Sequence, residues 1–238
     1  MSPLAHARTD CNVVAGVSPA ECRDLVALYN ATNGRRWIRS DGWNVTNTPC
    51  RWYGVQCRDG HVDLVNLGRN SLRGVLPHLV NLTNLRFMYL YENYLEGSIQ
   101  WVVHFPDLVF FDVGYNWLSG SIPDISVLTK LRDFVVSYNN FGDTLPSSLG
   151  NSGNLEYLCL QCNNFRGRLP ESIMKNSKMV RHPGRLSVLG NHLSSDDRDY
   201  SDAFLNWLDS LGYDSGLRHP RATLRPPGYC DHRRQGPR

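Results

Sequence analysis

The chain has 238 residues, of which 41% are hydrophobic, 11% aromatic and 20% charged, with a formal net charge of +3. No run approaches the ~18 apolar residues that a membrane-spanning helix needs, and the globular composition excludes wholesale disorder. Six arginines against one aspartate after residue 215 leave a slightly acidic body, which lacks the basic face of a nucleic-acid binder.

Near the N-terminus, MSPLAHARTD carries no apolar signal core, so we expect either a leader that was removed and replaced or a route that uses none. Cys11, Cys22, Cys50 and Cys57 crowd the first sixty residues and are read as disulfide cysteines. With Asn-x-Ser/Thr triplets at Asn30, Asn44 and Asn81, they lean towards an oxidising, extracellular setting. Ser18-Pro19-Ala20-Glu21 reads as a helix start: a serine cap, a proline in the first turn and an acid behind it. Leu25, Leu28 and Tyr29 then form one apolar face.

A repeat organises the next 130 or so residues. NSLRG at 70, NYLEG at 93, NWLSG at 116, NNFGD at 139 and NNFRG at 163 recur at intervals of 23, 23, 23 and 24 residues. Apolar residues precede each Asn by three, five and eight positions, as in Leu67, Val65 and Val62. A Leu/Ile-Pro step follows each unit except where Ile99-Gln100 stands. A sixth, degraded unit ends at Asn191-His192-Leu193 after an insertion that includes Met174 to Pro183. The alternating apolar pair predicts a short strand with those two residues turned inward. The Asn amide can satisfy backbone groups of neighbouring turns. One such unit cannot bury its own apolar face, but a stack forms a continuous core. Beyond the stack, Phe204, Trp207, Leu208 and Leu211 lie at helical spacing within Tyr200 to Gly212, which predicts a capping helix stopped by Gly212.

These units, together with LVALYNATNGRRWIRSDGW and PCRWYGVQC, resemble the plant-type extracellular leucine-rich-repeat proteins, among them receptor-kinase ectodomains and polygalacturonase inhibitors. The resemblance runs from about residue 18 to 195 and departs at Gln100, at Asp143 where glycine is usual, and in the last unit. It implies a right-handed solenoid with a parallel sheet on the concave side and irregular or 3₁₀ segments on the convex side. It also implies a helical N-terminal cap whose C-x-W-x-G-V-x-C turn is closed by a disulfide. The expected division is a cap over 1–61, five regular repeats and a degenerate one over 62–195, a capping helix over 196–215 and a basic tail over 216–238.

On that fold the outward strand positions line up in columns. The first holds Leu64, Phe87, Phe110, Asp133 and Tyr157, and the second Asn66, Tyr89, Asp112, Val135 and Cys159. The third holds Gly68, Tyr91, Gly114, Ser137 and Gln161, and the fourth Arg69, Glu92, Tyr115, Tyr138 and Cys162. Solvent-facing strand positions have no packing reason to be aromatic. We therefore assign ligand binding to Phe87, Tyr89, Tyr91, Glu92, Phe110, Asp112, Tyr115, Asp133, Tyr138 and Tyr157. Ladder stacking between neighbouring strands is the structural alternative.

Carboxylates on an open face offer no evident source of a raised pKa, so no catalytic residue is assigned. Cys159 and Cys162 fall on a strand and its exit rather than at a helix start. That position argues for a structural bridge, between themselves or from Cys162 to Cys230, over a redox motif. No metal or cofactor site is expected. The expected function is non-catalytic recognition of a protein or peptide on the concave face. Carbohydrate binding or adhesion at a cell surface is the alternative.

Overall fold

A computed structural model describes residues 8–176, 178, 186–194 and 196–210. The leader question at residues 1–7, most of the insertion, Leu211, Gly212, Cys230 and the basic tail lie outside the described residues.

Helix α1 (Pro19–Ala31) begins at Ser18 with reciprocal capping. The Ser18 hydroxyl accepts the Glu21 N–H at 3.2 Å, and the Glu21 carboxylate accepts the Ser18 N–H at 3.0 Å. The other Glu21 oxygen accepts the Val62 N–H at 2.9 Å, so one buried acid ties the helix start to the first sheet. Leu25, Leu28 and Tyr29 are buried, and Tyr29 packs on Trp37 and Trp43 with ring centroids 5.3 and 6.4 Å apart. Disulfides join Cys11 to Cys22 and Cys50 to Cys57.

The sheet opens with an antiparallel hairpin, β1 (Val55–Arg58) and β2 (His61–Asn66). Asp59 and Gly60 turn it, with φ of 51° and 83°. This Asp-Gly pair is the usual residue choice where both central positions need positive φ. The following units supply β3 (Arg73–Val75), β4 (Phe87–Tyr89), β5 (Tyr94–Glu96), β6 (Phe110–Asp112), β7 (Ser119–Gly120), β8 (Asp133–Val135), β9 (Asn140–Phe141), β10 (Tyr157–Cys159), β11 (Arg166–Gly167), β12 (Leu186–Ser187) and β13 (His192–Leu193). The main sheet runs β1-β2-β4-β6-β8-β10-β12 and is parallel from β2 onward.

Its inward row is Val65, Met88, Phe111, Phe134, Leu158 and Leu186, in register and buried throughout. Phe111 and Phe134 stack at 5.5 Å within it. The spacing of apolar residues before each Asn thus becomes one continuous core. Opposite the sheet run 3₁₀ turns at Gln100–His104, Ile125–Val127, Ser147–Asn151 and Glu171–Lys175.

Two features correct the sequence reading. The remaining strands pair as β3–β5, β7–β9 and β11–β13, so short parallel ladders flank the sheet where only irregular chain was expected. Strands of two or three residues containing glycine carry no period-2 signal. The main sheet is also not wholly parallel, because the cap contributes β1.

The regular spacing of Asn residues has a direct structural basis in this chain. Asn116 accepts the Leu95 N–H at 2.9 Å and donates to the carbonyls of Leu90, Val113 and Gly114. Asn93, Asn139, Asn163 and Asn191 repeat the pattern, each linking its own turn to the one before. Asn70 has no earlier repeat and instead exchanges bonds with the Arg39 backbone at 2.7 and 2.8 Å. The cap thereby imitates a preceding unit. Gln100, which replaces the usual proline, reaches forward to the Ser121 carbonyl at 2.8 Å. Asp143 adopts φ 62°, the conformation that Gly97, Gly120 and Gly167 hold in other units, and aspartate is among the few residues that tolerate it.

Helix α2 (Asp202–Ser210) lies at the other end, with Phe204, Leu205 and Leu208 buried. The Tyr200 hydroxyl accepts the Leu169 N–H at 3.1 Å and donates to the Ser194 carbonyl at 2.9 Å, fastening this end to the last turns.

Candidate functional site

The non-core face of the main sheet carries the columns in register. Leu64, Phe87, Phe110, Asp133 and Tyr157 are successive partners, and so are Asn66, Tyr89, Asp112, Val135 and Cys159. Phe87, Tyr89, Phe110, Asp112, Asp133 and Tyr157 are half-buried there, while their strand neighbours on the other side are buried in the core. The aromatic rings do not point into the interior.

The fourth column differs from the expectation. Arg69, Glu92, Tyr115, Tyr138 and Cys162 are not strand residues. All five have left-handed backbones, with φ between 51° and 56°, and mark the exit from each strand just before the buried Asn. Gly190 takes that position before Asn191, at φ 70°. The turn redirects these side chains, and their exposure varies accordingly: Tyr115 is 42% exposed and Cys162 is buried.

Rings on this surface pair with one another. Tyr89 and Phe110 stack with centroids 4.6 Å apart and planes at 29°, and Tyr115 and Tyr138 at 4.1 Å and 11°. Burial pushes the Tyr138 phenol up to about 12, helped by a hydrogen bond with Tyr115. The Tyr91 ring leans over Gly68, where a Cβ would lie only 2.5 Å from it. Glu92 forms an ion pair with Arg69 at 2.6 Å, and the Arg86 guanidinium sits 5.2 Å from the centre of the Phe87 ring.

Asp112 is the electrostatic exception. Its Oδ1 accepts the Gly114 N–H at 2.9 Å, which favours the charged form, yet burial outweighs that bond. With the Glu92 charge adding to the effect, the carboxyl is pushed up to about 6. An open face was expected to lack any source of such a shift; the burial of this carboxyl within the face supplies it. The carboxylates of Asp133 and Asp112 also raise the Tyr89 phenol, behind the larger contribution of its burial.

Of the two cysteine alternatives, the bridge between Cys159 and Cys162 is excluded, and the bond from Cys162 to Cys230 involves a residue outside those described. Cys159 is a free, buried thiol and Cys162 is disulfide-bonded, so the two do not bridge each other. Cys159 shares the outward row of Asp112 and Val135, whereas the left-handed exit turn redirects Cys162. Burial pushes the Cys159 thiol up, against hydrogen bonds with Ser137 and Tyr157. No group of three or more potential metal ligands occurs among the described residues, and no helix there is long and apolar enough to cross a membrane.

Of the three glycosylation triplets, Asn30 is exposed in the last turn of α1 and Asn44 has φ 52°. Asn81 is exposed but engaged: its backbone N–H and side-chain amide donate to buried Asp24 at 2.7 and 2.9 Å. Sequence reasoning assigned no role to Gly114 and Ser137, which pack closely on Asp112: a Cβ on Gly114 would lie 3.2 Å from both Asp112 Oδ1 and Ser137 Oγ. Their sole signal was their place in the third column.

Comparison with known proteins gives a consistent likeness. The Leucine Rich Repeat family model matches residues 154–176. The ectodomain of the receptor kinase SOBIR1 from Arabidopsis thaliana is 25% identical, with a TM-score of 0.63 over 74% of this chain and 96% of that one. The Arabidopsis receptor kinase HAESA, solved with the peptide hormone IDA and the co-receptor SERK1, is 27% identical with a TM-score of 0.67, over 81% of this chain and 32% of that one. PEPR1, solved with AtPEP1, is 26% identical with a TM-score of 0.64, over 74% of this chain and 25% of that one. The chain therefore spans about a quarter to a third of the two larger receptors and nearly all of the smaller ectodomain.

Proposed function

We propose that this chain, which is similar to the plant extracellular leucine-rich-repeat proteins, is a non-catalytic recognition module that binds a protein or peptide on the outward face of its main sheet. The carrying observation is the continuous half-buried surface formed by Phe87, Tyr89, Phe110, Asp112 and Asp133 on adjacent strands. Rings that are neither in the core nor freely solvated, set beside carboxylates, provide the amphipathic contact area that anchors use. HAESA was solved with the peptide hormone IDA, which supports a peptide for this chain too. The two cap disulfides support an extracellular setting.

The testing experiment is a pull-down from the native extracellular fluid with wild type against Tyr89→Ala/Phe110→Ala. A protein or peptide retained by wild type and lost by the variant supports the reading. Partners that are unaffected by the variant overturn the assignment of the face. A retained neutral glycan, sensitive to the rings and indifferent to Asp112→Asn/Asp133→Asn, would move the function to the carbohydrate class.

A further inference from the structure

Residues 33–40 of the cap hold Arg35, Arg36 and Arg39 and no acid. Trp37 anchors this segment: it is buried against Tyr29 and Trp43, with ring centroids 5.3 and 5.0 Å away, and its indole N–H donates to the Thr32 carbonyl at 2.9 Å. Ile38 and Arg39 donate their N–H groups to Asn70 at 3.1 and 2.7 Å, and Asn70 returns a bond to the Arg39 carbonyl at 2.8 Å. The backbone is thus held in place, while Arg35, Arg36, Ile38 and Arg39 face solvent. At 66%, Ile38 is the most exposed large apolar side chain among the described residues.

The fold gives these cations no task. At the end of α1 the Leu28 carbonyl is already bonded by Thr32, and the Thr32 carbonyl by the Trp37 indole and the Arg73 N–H. Among the described residues neither Arg35 nor Arg36 has an ion pair, and Arg39 meets Asp41 at 3.4 Å with both side chains well exposed. Two other acids of the cap are spent inside it: Glu21 and Asp24 are buried and hold backbone groups of Ser18, Val62 and Asn81. A charge count along the chain hides the positive patch that results, because it weighs buried and exposed acids alike.

We propose that segment 35–39 is a docking surface for an acidic segment of a partner protein, which lays an apolar side chain on Ile38 while Arg35, Arg36 and Arg39 hold its carboxylates. This surface shares no residue with the outward face of the main sheet and does not depend on that reading. Charge complementarity selects an anionic partner, and guanidinium forks match carboxylates in two-point contacts. The exposed isoleucine selects a protein over a sulfated or uronate polymer, which has no apolar side chain to set against it. Anchoring through Trp37 and Asn70 lowers the cost of ordering the cap's side of the contact.

The test pans a random hexapeptide phage library against the immobilised full chain, as wild type, Arg35→Glu/Arg36→Glu, Arg35→Gln/Arg36→Gln, Ile38→Ser and Tyr89→Ala/Phe110→Ala. Circular dichroism checks the fold of each variant, and the glutamine pair carries the comparison if charge reversal disturbs the cap. Wild type should recover peptides several-fold enriched in Asp and Glu around an apolar residue. Such a peptide should bind the folded arginine variants about tenfold or more weakly and lose affinity as salt rises. It should bind Ile38→Ser several-fold more weakly and Tyr89→Ala/Phe110→Ala as well as wild type. Recovered peptides without acid enrichment, or indifferent to the arginine variants, overturn the inference and leave the main-sheet face untouched. Heparin is the second probe. Its retention by wild type and Ile38→Ser alike, with loss in the arginine variants and no acidic peptide recovered, assigns the patch to a polyanion and overturns the protein partner.

Discussion

Tyr115 and Tyr138 lie 23 residues apart, yet their rings stack at 4.1 Å, each carried by a backbone in the left-handed region at φ 56° and 54°. Both rings are held where a residue with a Cβ is disfavoured. Gly190 occupies the same position in the last unit, which closes its strand exit without a side chain.

Tyr115→Gly should therefore leave stability within about 1 kcal/mol of wild type. The relief of roughly 1 kcal/mol of left-handed strain offsets a stack worth about the same. Ligand retention should nonetheless fall. Urea unfolding alongside the pull-down separates the two. A loss of several kcal/mol would show the ring to be structural.

Removal of an Asn from the internal ladder should act in the opposite sense. Asn116→Ala strips the acceptor from the Leu95 N–H and the donor from carbonyls inside the solenoid, all buried. A loss of about 3 kcal/mol is expected, with no change in the outward face. Denaturant titration measures it, and a loss below about 1 kcal/mol would remove the ladder from the account of what joins the turns.

Asp112 predicts a pH signature. Its carboxyl, pushed up to about 6, lies above the ordinary aspartate value of 3.8, so between those values the folded state binds the proton and the unfolded state does not. Stability from this group falls as pH rises through that window, by about 2–3 kcal/mol in total. Asp63, Asp124, Glu171, Asp196 and Asp199 have lowered pKa values and pull the whole protein the other way in acid. The relevant quantity is thus the difference in thermal midpoint between wild type and Asp112→Asn from pH 4 to 8. The variant should be the more stable at pH 7, and the gap should close towards pH 4. A gap independent of pH would contradict the assignment.

Cys159 should behave as an inert thiol. It is buried, and burial raises its pKa, so little thiolate is available at pH 7. Iodoacetamide followed by peptide mapping should leave Cys159 unlabelled in the native protein and label it readily in urea. Rapid native labelling would mean that this row of the sheet opens.

Much of this was legible from residue spacing. Val65, Met88, Phe111, Phe134 and Leu158 were identifiable as core because an Asn follows each at five residues. The first two outward columns followed from the strand period alone. The Asp59-Gly60 hairpin was also available to inspection as a turn pair. By contrast, the short β3–β5 ladder left no periodic trace, and the left-handed exits were hidden because Arg, Glu, Tyr and Cys all stand where glycine would have signalled them.

By itself, then, the order of residues determined a stack of turns and the side of each strand that meets water, because both depend on distances of a few positions along one chain. The tertiary structure alone decided that Tyr115 meets Tyr138, that Asp112 loses water while Glu92 finds Arg69, and that Cys162 does not meet Cys159. Those outcomes depend on how backbones turn at the strand exits and on what the adjacent turn presents. Ring contact, desolvation and thiol pairing all change over a few ångströms that no spacing rule encodes.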